Sequence, residues 1–195
     1  MALKDDFVEM FGRLGELDAG RFQSNTSGAS FVLSENDTNV AMRCDLTCCG
    51  DSILLKLDES WDIAWLKNKK RADYAVFELK GSMLIVHIFE LKRTINSKTW
   101  KNMKEQFEGA YLRIGAITGV LGKRASKIRL YSCYINDNLA SISITKRAAL
   151  SNQRILKSYK SWKSPKIILN YSVGNVTCTH TKIPLNKSGV GSYQL

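Results

Sequence analysis

Residues 71–93 constrain the fold of this chain more than any other stretch. Two apolar, β-rich runs, Arg71–Lys80 and Met83–Arg93, flank Gly81-Ser82. Glycine at the first central position of a two-residue turn suits a type II′ hairpin, whose twist matches that of its strands. With that turn, residues whose numbers sum to 163 lie opposite each other. Side chains alternate along a strand, so Asp73, Ala75, Phe77 and Leu79 share a face with Leu84, Val86, Ile88, Glu90 and Lys92. The other face, with Tyr74, Val76, Ile85, Phe89 and Leu91, is also mainly apolar. A hairpin that is apolar on both sides needs cover on both, which predicts an α/β layer architecture.

The rest of the chain supplies the cover. Leu3, Phe7, Met10, Phe11, Leu14 and Leu17 recur at three- and four-residue steps, predicting an amphipathic helix. Ser30–Leu33, Val40–Cys44 and Ile53–Leu57 read as short strands between Ser/Asn/Gly/Asp clusters. Helical spacing returns from Thr99 to Leu121, where Gly109, Gly115 and Gly119 suggest close packing and Gly122 marks the end. Lys127–Ile135 reads as a strand, Ser151–Trp162 as a helix, and Lys166–Tyr171 and Val176–Thr179 as strands. The expectation is one α/β domain over 1–195, a mixed central sheet flanked by helices. Its core covers about 3–135, a basic helix and terminal strands occupy 144–180, and 186–195 is a loose tail.

Charge is distributed unevenly within the net +11. Residues 1–91 hold 10 Lys/Arg against 15 Asp/Glu, whereas residues 92–166 hold 17 against three. Concentrated basic charge suits a polyanion, although a solvated basic face explains it equally well. Lys123, Arg124, Lys127, Arg154, Lys157, Lys160 and Lys163 are the candidate nucleic-acid contacts. No apolar run reaches the roughly 18–20 residues of a membrane helix and no signal-type segment opens the chain, so the expected compartment is the cytoplasm. Cys44, Cys48, Cys49, Cys133 and Cys178 are odd in number and lack a second Cys/His pair, so buried free thiols are expected. Trp100 and Trp162 sit at core-like helical positions, and His87 reads as a packed or hydrogen-bonded strand histidine.

The chemistry lies at one end of the hairpin, where Asp73 is directly across from Glu90. Opposed carboxylates destabilise a sheet unless a cation sits between them. A divalent ion is the simplest such cation, since two carboxylates offer it hard oxygen ligands. Lys92 points to the same side and is placed to orient water or neutralise developing charge. The tetrapeptide Phe89-Glu90-Leu91-Lys92 has a double in Phe77-Glu78-Leu79-Lys80, which falls on the opposite face from Asp73. That double reads as surface charge at the hairpin tip, discouraging edge pairing.

Asp73, a 16-residue spacer and then Glu90-Leu91-Lys92 after an apolar run resembles the PD-(D/E)XK nuclease superfamily. The resemblance covers about residues 58–121; Arg71-Ala72 stands where the family often has a proline. It implies a restriction-endonuclease-like core and an endonuclease that hydrolyses phosphodiester bonds, most readily in DNA, with Mg²⁺ or Mn²⁺. It implies Asp73, Glu90, Lys92 and Gln106 as catalytic residues, with Asp73, Glu90 and Leu91 at the metal. A further acid often comes from the first helix, where Glu16 is the better candidate and Glu9 the weaker; Asp58 is another. DNA is the implied partner, with no membrane and with room for a homodimer or a larger defence or repair complex. An inactive nucleic-acid-binding or protein-interaction module of the same fold is the alternative.

Overall fold

The computed structural model describes residues 9, 11, 22–25, 30–37, 40–57, 69–141, 153–171 and 174–195. The hairpin forms as its sequence predicts, from β5 (Tyr74–Lys80) and β6 (Met83–Ile95). Tyr74 pairs with Phe89 and Lys80 with Met83, so every pair sums to 163. Gly81 has φ of 61° and no other residue type among the described residues has a positive φ, as a type II′ turn requires.

Three strands precede β5 on its side of the large sheet or beyond it. They are β2 (Ser30–Asp37), β3 (Val40–Thr47) and β4 (Asp51–Lys56), after the short β1 (Phe22–Asn25). After β6 come helix α1 (Ser97–Val120), β7 (Lys127–Asp137), helix α2 (Gln153–Lys163), β8 (Lys166–Tyr171), β9 (Gly174–Pro184) and β10 (Val190–Gln194). The seven-stranded sheet runs β1-β4-β5-β6-β7-β9-β8, and a second sheet runs β10-β3-β2. The large sheet is mixed: β6-β7 and β7-β9 are parallel, the other pairs antiparallel.

Both hairpin faces are covered, by different means. Ala75, Phe77, Leu84, Val86 and Ile88 pack with Trp100, Met103 and Phe107 of α1 in one core. Phe11 joins this core, its ring centroid 4.8 Å from that of Phe77, and Trp162 of α2 meets Trp100 edge-on at 4.9 Å. Tyr74, Val76, Phe89 and Leu91 form the second core with Phe31, Leu33, Cys44 and Leu46 of the small sheet. Each such side chain, fully buried, contributes about 1.5–3 kcal/mol. Among the described residues the cover on this second face is a sheet, so the flanking helices α1 and α2 share one side.

Several expectations change. The expected loose tail is instead structured: β10 lies parallel to β3, Val190 against Arg43, and the Leu195 N–H donates to the Thr47 carbonyl at 3.0 Å. Gly109 alone of the three helix glycines is closely packed; a Cβ there would lie 1.7 Å from the Lys70 carbonyl oxygen, whereas Gly115 and Gly119 face open space. The five cysteines are free and four are buried, but Cys49 is exposed. Of the predicted first helix, only Glu9, exposed, and Phe11 are described; Glu16 and Asp58 lie outside the described residues. No described helix is long and apolar enough to cross a membrane.

Candidate active site

The register that builds the hairpin also delivers its acids. The Asp73 N–H donates to the Phe89 carbonyl at 3.1 Å, extending the ladder one residue beyond β5 and setting Asp73 across from Glu90. Asp73 Oδ2 accepts the Leu91 N–H at 2.7 Å, which fixes the carboxylate over the end of β6. Glu90 is fully buried. Lys92 forms an ion pair with Glu90 Oε1 and donates to the Leu91 carbonyl at 3.1 Å. Glu90 Oε2 is buried with no hydrogen-bond partner. That is the costly arrangement for a buried polar atom, and it calls for a cation or a proton.

The electrostatics agree. Burial pushes the Asp73 carboxyl up to about 6, against the pull of Lys92 and of the Leu91 hydrogen bond. Burial, then the Asp73 charge, holds Glu90 well above the usual carboxylate range, and Lys92 offsets this only in part. For Lys92, burial opposes its charge, but Glu90 and Asp73 outweigh it and raise its pKa. Glu90 is thus a buried acid beside a second acid, and the Lys92 ion pair offsets the cost of its charge only in part.

A pocket of about 600 Å³ opens beside these residues, with Asp73, Lys92 and Gln106 in its lining. Gln106 comes from α1, whose start is fixed by Asn96: its side chain accepts the Lys98 and Thr99 N–H groups at 2.9 and 3.0 Å. The Gln106 amide donates to the Arg71 carbonyl at 3.2 Å, two residues from Asp73. Thus the structure brings Asp73, Glu90, Leu91, Lys92 and Gln106 together as the sequence suggests.

The basic candidates are placed elsewhere. Lys127 pairs with Ile85, five residues back along β6 from Glu90, about 16 Å away at strand rise. Lys123 and Arg124 line a separate recess of about 370 Å³ along the C-terminal half of α1, with Tyr111, Ile114 and Thr118. From Gln106 to Lys123 is 17 residues, about 25 Å at helical rise. Lys157, Lys160 and Lys163 are exposed on α2, and Arg154 belongs to the same helix. That helix packs on the flank of α1 facing β8, where Glu108 accepts the Asn170 N–H at 2.9 Å and Lys104 feels the charge of Lys157.

Other side chains occupy the pocket that these basic residues do not reach. Glu35, near the end of β2, lines it and acts by charge on Asp73, Glu90 and Lys92. Its position follows from Tyr74, whose hydroxyl donates to the Ser34 carbonyl at 2.7 Å and so ties β2 to the start of β5. Lys56, Lys69, Lys70 and Arg71 line the pocket too. No local sequence pattern marks Glu35, whereas Lys69-Lys70-Arg71 immediately before Asp73 is a visible basic run.

The second tetrapeptide is not surface charge. Glu78 is fully buried, its Oε2 3.0 Å from His87 Nε2 and its Oε1 3.2 Å from Lys80 Nζ. His87 Nδ1 lies 2.9 Å from the Tyr131 hydroxyl, so this group is a hydrogen-bonded chain on the face away from Glu90. Burial, more than offsetting Glu78, lowers the His87 pKa to about 4. Among the described residues, no three His, Cys, Asp or Glu side chains group closely enough to hold a metal ion. No protein-family model matches the chain, no curated protein matches it and no solved structure matches it.

Proposed function

We propose that this protein is a metal-dependent nuclease of restriction-endonuclease-like type, with its site at Asp73, Glu90 and Lys92 and with DNA as the substrate. The observation that carries this reading is the buried, unpartnered Glu90 Oε2 facing Asp73 beside an open pocket. The donor set fits Mg²⁺ or Mn²⁺: Asp73, Glu90 and the Leu91 carbonyl all offer hard oxygens. A divalent ion held there would supply Lewis-acid activation of water and charge stabilisation on the phosphodiester.

The chain's own residues do the rest. The Leu91 N–H holds Asp73 in place, and the protein body around Glu90 excludes water from its carboxylate. In the metal-free site Lys92 stays protonated at neutral pH, which suits stabilising developing negative charge better than removing a proton. Gln106 borders the pocket with its amide tied to the Arg71 carbonyl, and so positions the wall against which a phosphate or water rests. A second reading, a nucleic-acid-binding module that does not cleave, is favoured because no three His, Cys, Asp or Glu side chains among the described residues group closely enough to hold a metal ion and Lys92 is already paired to Glu90.

Incubation with circular and linear DNA in Mg²⁺, Mn²⁺ or EDTA tests the proposal. Cleavage in either metal and none in EDTA is expected. Salt-sensitive binding without cleavage under any condition selects the second reading.

A further inference from the structure

The small sheet contributes an acid to the pocket, and the alternation along β2 explains how. Phe31 and Leu33 point inward and are buried, whereas Val32 and Ser34 between them are exposed. Glu35 is the next inward position and is half-buried. A row that turns from apolar side chains to a glutamate sets a carboxylate at the edge of the second core. Tyr74 fixes this edge against the hairpin: its hydroxyl donates to the Ser34 carbonyl at 2.7 Å and accepts the Ser34 N–H at 3.3 Å. Glu35 therefore lines the same pocket as Asp73 and Lys92, although it comes from the other sheet.

The charges around this pocket divide into two groups. Lys70 is paired with Glu105, and Lys69 and Arg71 have partners of their own in the fold. At the end where β5 and β6 meet the small sheet stand three acids, Asp73, Glu90 and Glu35, with Lys92 and Lys56 as their cations. Lys92 is paired with Glu90, and Asp73 accepts the Leu91 N–H. Glu35 acts by charge on Asp73, Glu90 and Lys92, yet no hydrogen bond or ion pair engages its carboxylate among the described residues. A separate observation points to a cation here: Glu90 is fully buried and its Oε2 has no hydrogen-bond partner. An ion such as Mg²⁺ takes only one or two carboxylates directly and keeps several waters. No three acids among the described residues lie close enough to hold an ion directly, so an acid beyond the first two acts through those waters. Partners of this outer kind are worth about 10–100-fold in metal affinity.

We propose that Glu35 is the outer acid of a divalent-ion site at Asp73 and Glu90: it accepts hydrogen bonds from water that the ion retains on the side of the small sheet, so that ion binding ties β2 to the end of the hairpin. The presence of the ion rests on the nuclease reading, but the tie between the two sheets is a property of binding and needs no cleavage.

The test is Mn²⁺ binding by wild type and Glu35→Gln, measured by calorimetric titration and by hydrogen exchange of the β2 amides that pair with β3. Glu35→Gln keeps the shape of the side chain and is expected to weaken Mn²⁺ binding about tenfold or more. At saturating Mn²⁺ the wild-type β2 amides are expected to exchange more slowly than in EDTA. Those of Glu35→Gln are expected to exchange at the same rate with and without metal. This second readout separates a tie from the mere loss of a nearby charge, which weakens binding but leaves β2 responding once the site is filled. Glu35→Asp keeps the carboxylate and is expected to bind Mn²⁺ more tightly than Glu35→Gln; equal affinities of the two overturn the assignment. Wild-type affinity in folded Glu35→Gln, checked by thermal melting in EDTA, or equal slowing of β2 in both proteins at saturation, overturns it too and leaves the nuclease reading standing. A β2 response lost only in Glu35→Gln, in a protein that cleaves DNA under no condition, upholds Glu35 and sinks the nuclease reading. A wild type that binds no Mn²⁺ overturns both.

Discussion

Phe-Glu-Leu-Lys occurs twice in one hairpin, at 77–80 and at 89–92, and the two copies have opposite fates. Both glutamates are fully buried. Glu78 faces His87, with Lys80 on its other oxygen, so its burial is compensated. Glu90 faces Asp73, shares Lys92 with it and keeps one oxygen bare. The cause is register. Opposed residues sum to an odd number, so positions of the same parity on the two strands face opposite ways. One copy is turned toward the small sheet and a closed hydrogen-bond chain, the other toward the helices and an open pocket. A short motif therefore carries no function by itself; its cross-strand neighbour decides between a satisfied structural pair and two buried acids set against each other.

Replacing each glutamate separates the two copies most sharply. Glu90→Gln and Lys92→Ala are each expected to reduce cleavage by about a thousandfold or more, the scale on which a preorganised electrostatic group acts. Glu78→Gln is expected to retain cleavage, and the reverse pattern would assign the site to the wrong copy. Stability should move the other way. Glu78→Ala strands His87 and Lys80 and is expected to cost about 2–3 kcal/mol in urea denaturation. Glu90→Gln removes a buried charge that Lys92 offsets only in part and should stabilise the metal-free protein.

Acid should expose the histidine that serves the 77–80 copy. His87 faces Glu78 and Tyr131 and feels Arg129 and Lys80. Folded, it takes a proton near pH 4; unfolded, near its ordinary 6.5. Between those values the unfolded chain binds the proton first. The contribution is thus complete above about pH 6.5 and falls as pH drops toward 4, by about 3 kcal/mol at roughly 1.4 kcal/mol per pH unit. His180, which burial lowers to about 3, adds a similar slope. His87→Gln is expected to flatten the stability–pH curve over this range, and an unaltered curve would remove His87 from the account. The smallest effect is at Lys80, which is part-exposed. Lys80→Ala leaves His87 on Glu78 and is expected to cost less than Glu78→Ala and to leave cleavage intact.

What the sequence made legible is local. The Gly81-Ser82 turn set the register, and three/four spacing marked α1, because each signal lies within a few residues of what it determines. The burial of Glu78 was misread because its compensation comes from His87, nine residues away across the turn. Glu35 reaches the pocket through Tyr74 bonding to Ser34, 40 residues apart in sequence. The Lys69–Arg71 segment is seated by Gln106, Gly109 and Arg113, which periodicity marks only as helix. The basic run in the second half pointed to nucleic acid by composition, but Lys127 opens β7 and Lys123 and Arg124 follow the end of α1, all far from Asp73. Long-range pairings of this kind leave no local pattern, and the same holds for β10 beside β3.

We propose that the 89–92 copy is completed by a divalent ion, whereas the 77–80 copy is compensated by His87 and Lys80. Melting temperature measured against Mg²⁺ and Mn²⁺, for the wild type and Asp73→Asn, tests it directly. A ligand that binds only the folded chain stabilises it by about 2.7 kcal/mol at a hundredfold excess over its dissociation constant. The account predicts a concentration-dependent rise for the wild type. For Asp73→Asn it predicts a higher melting temperature in EDTA and a flat response to metal. Equal metal responses in the two proteins, or a wild type that does not respond at all, would contradict it.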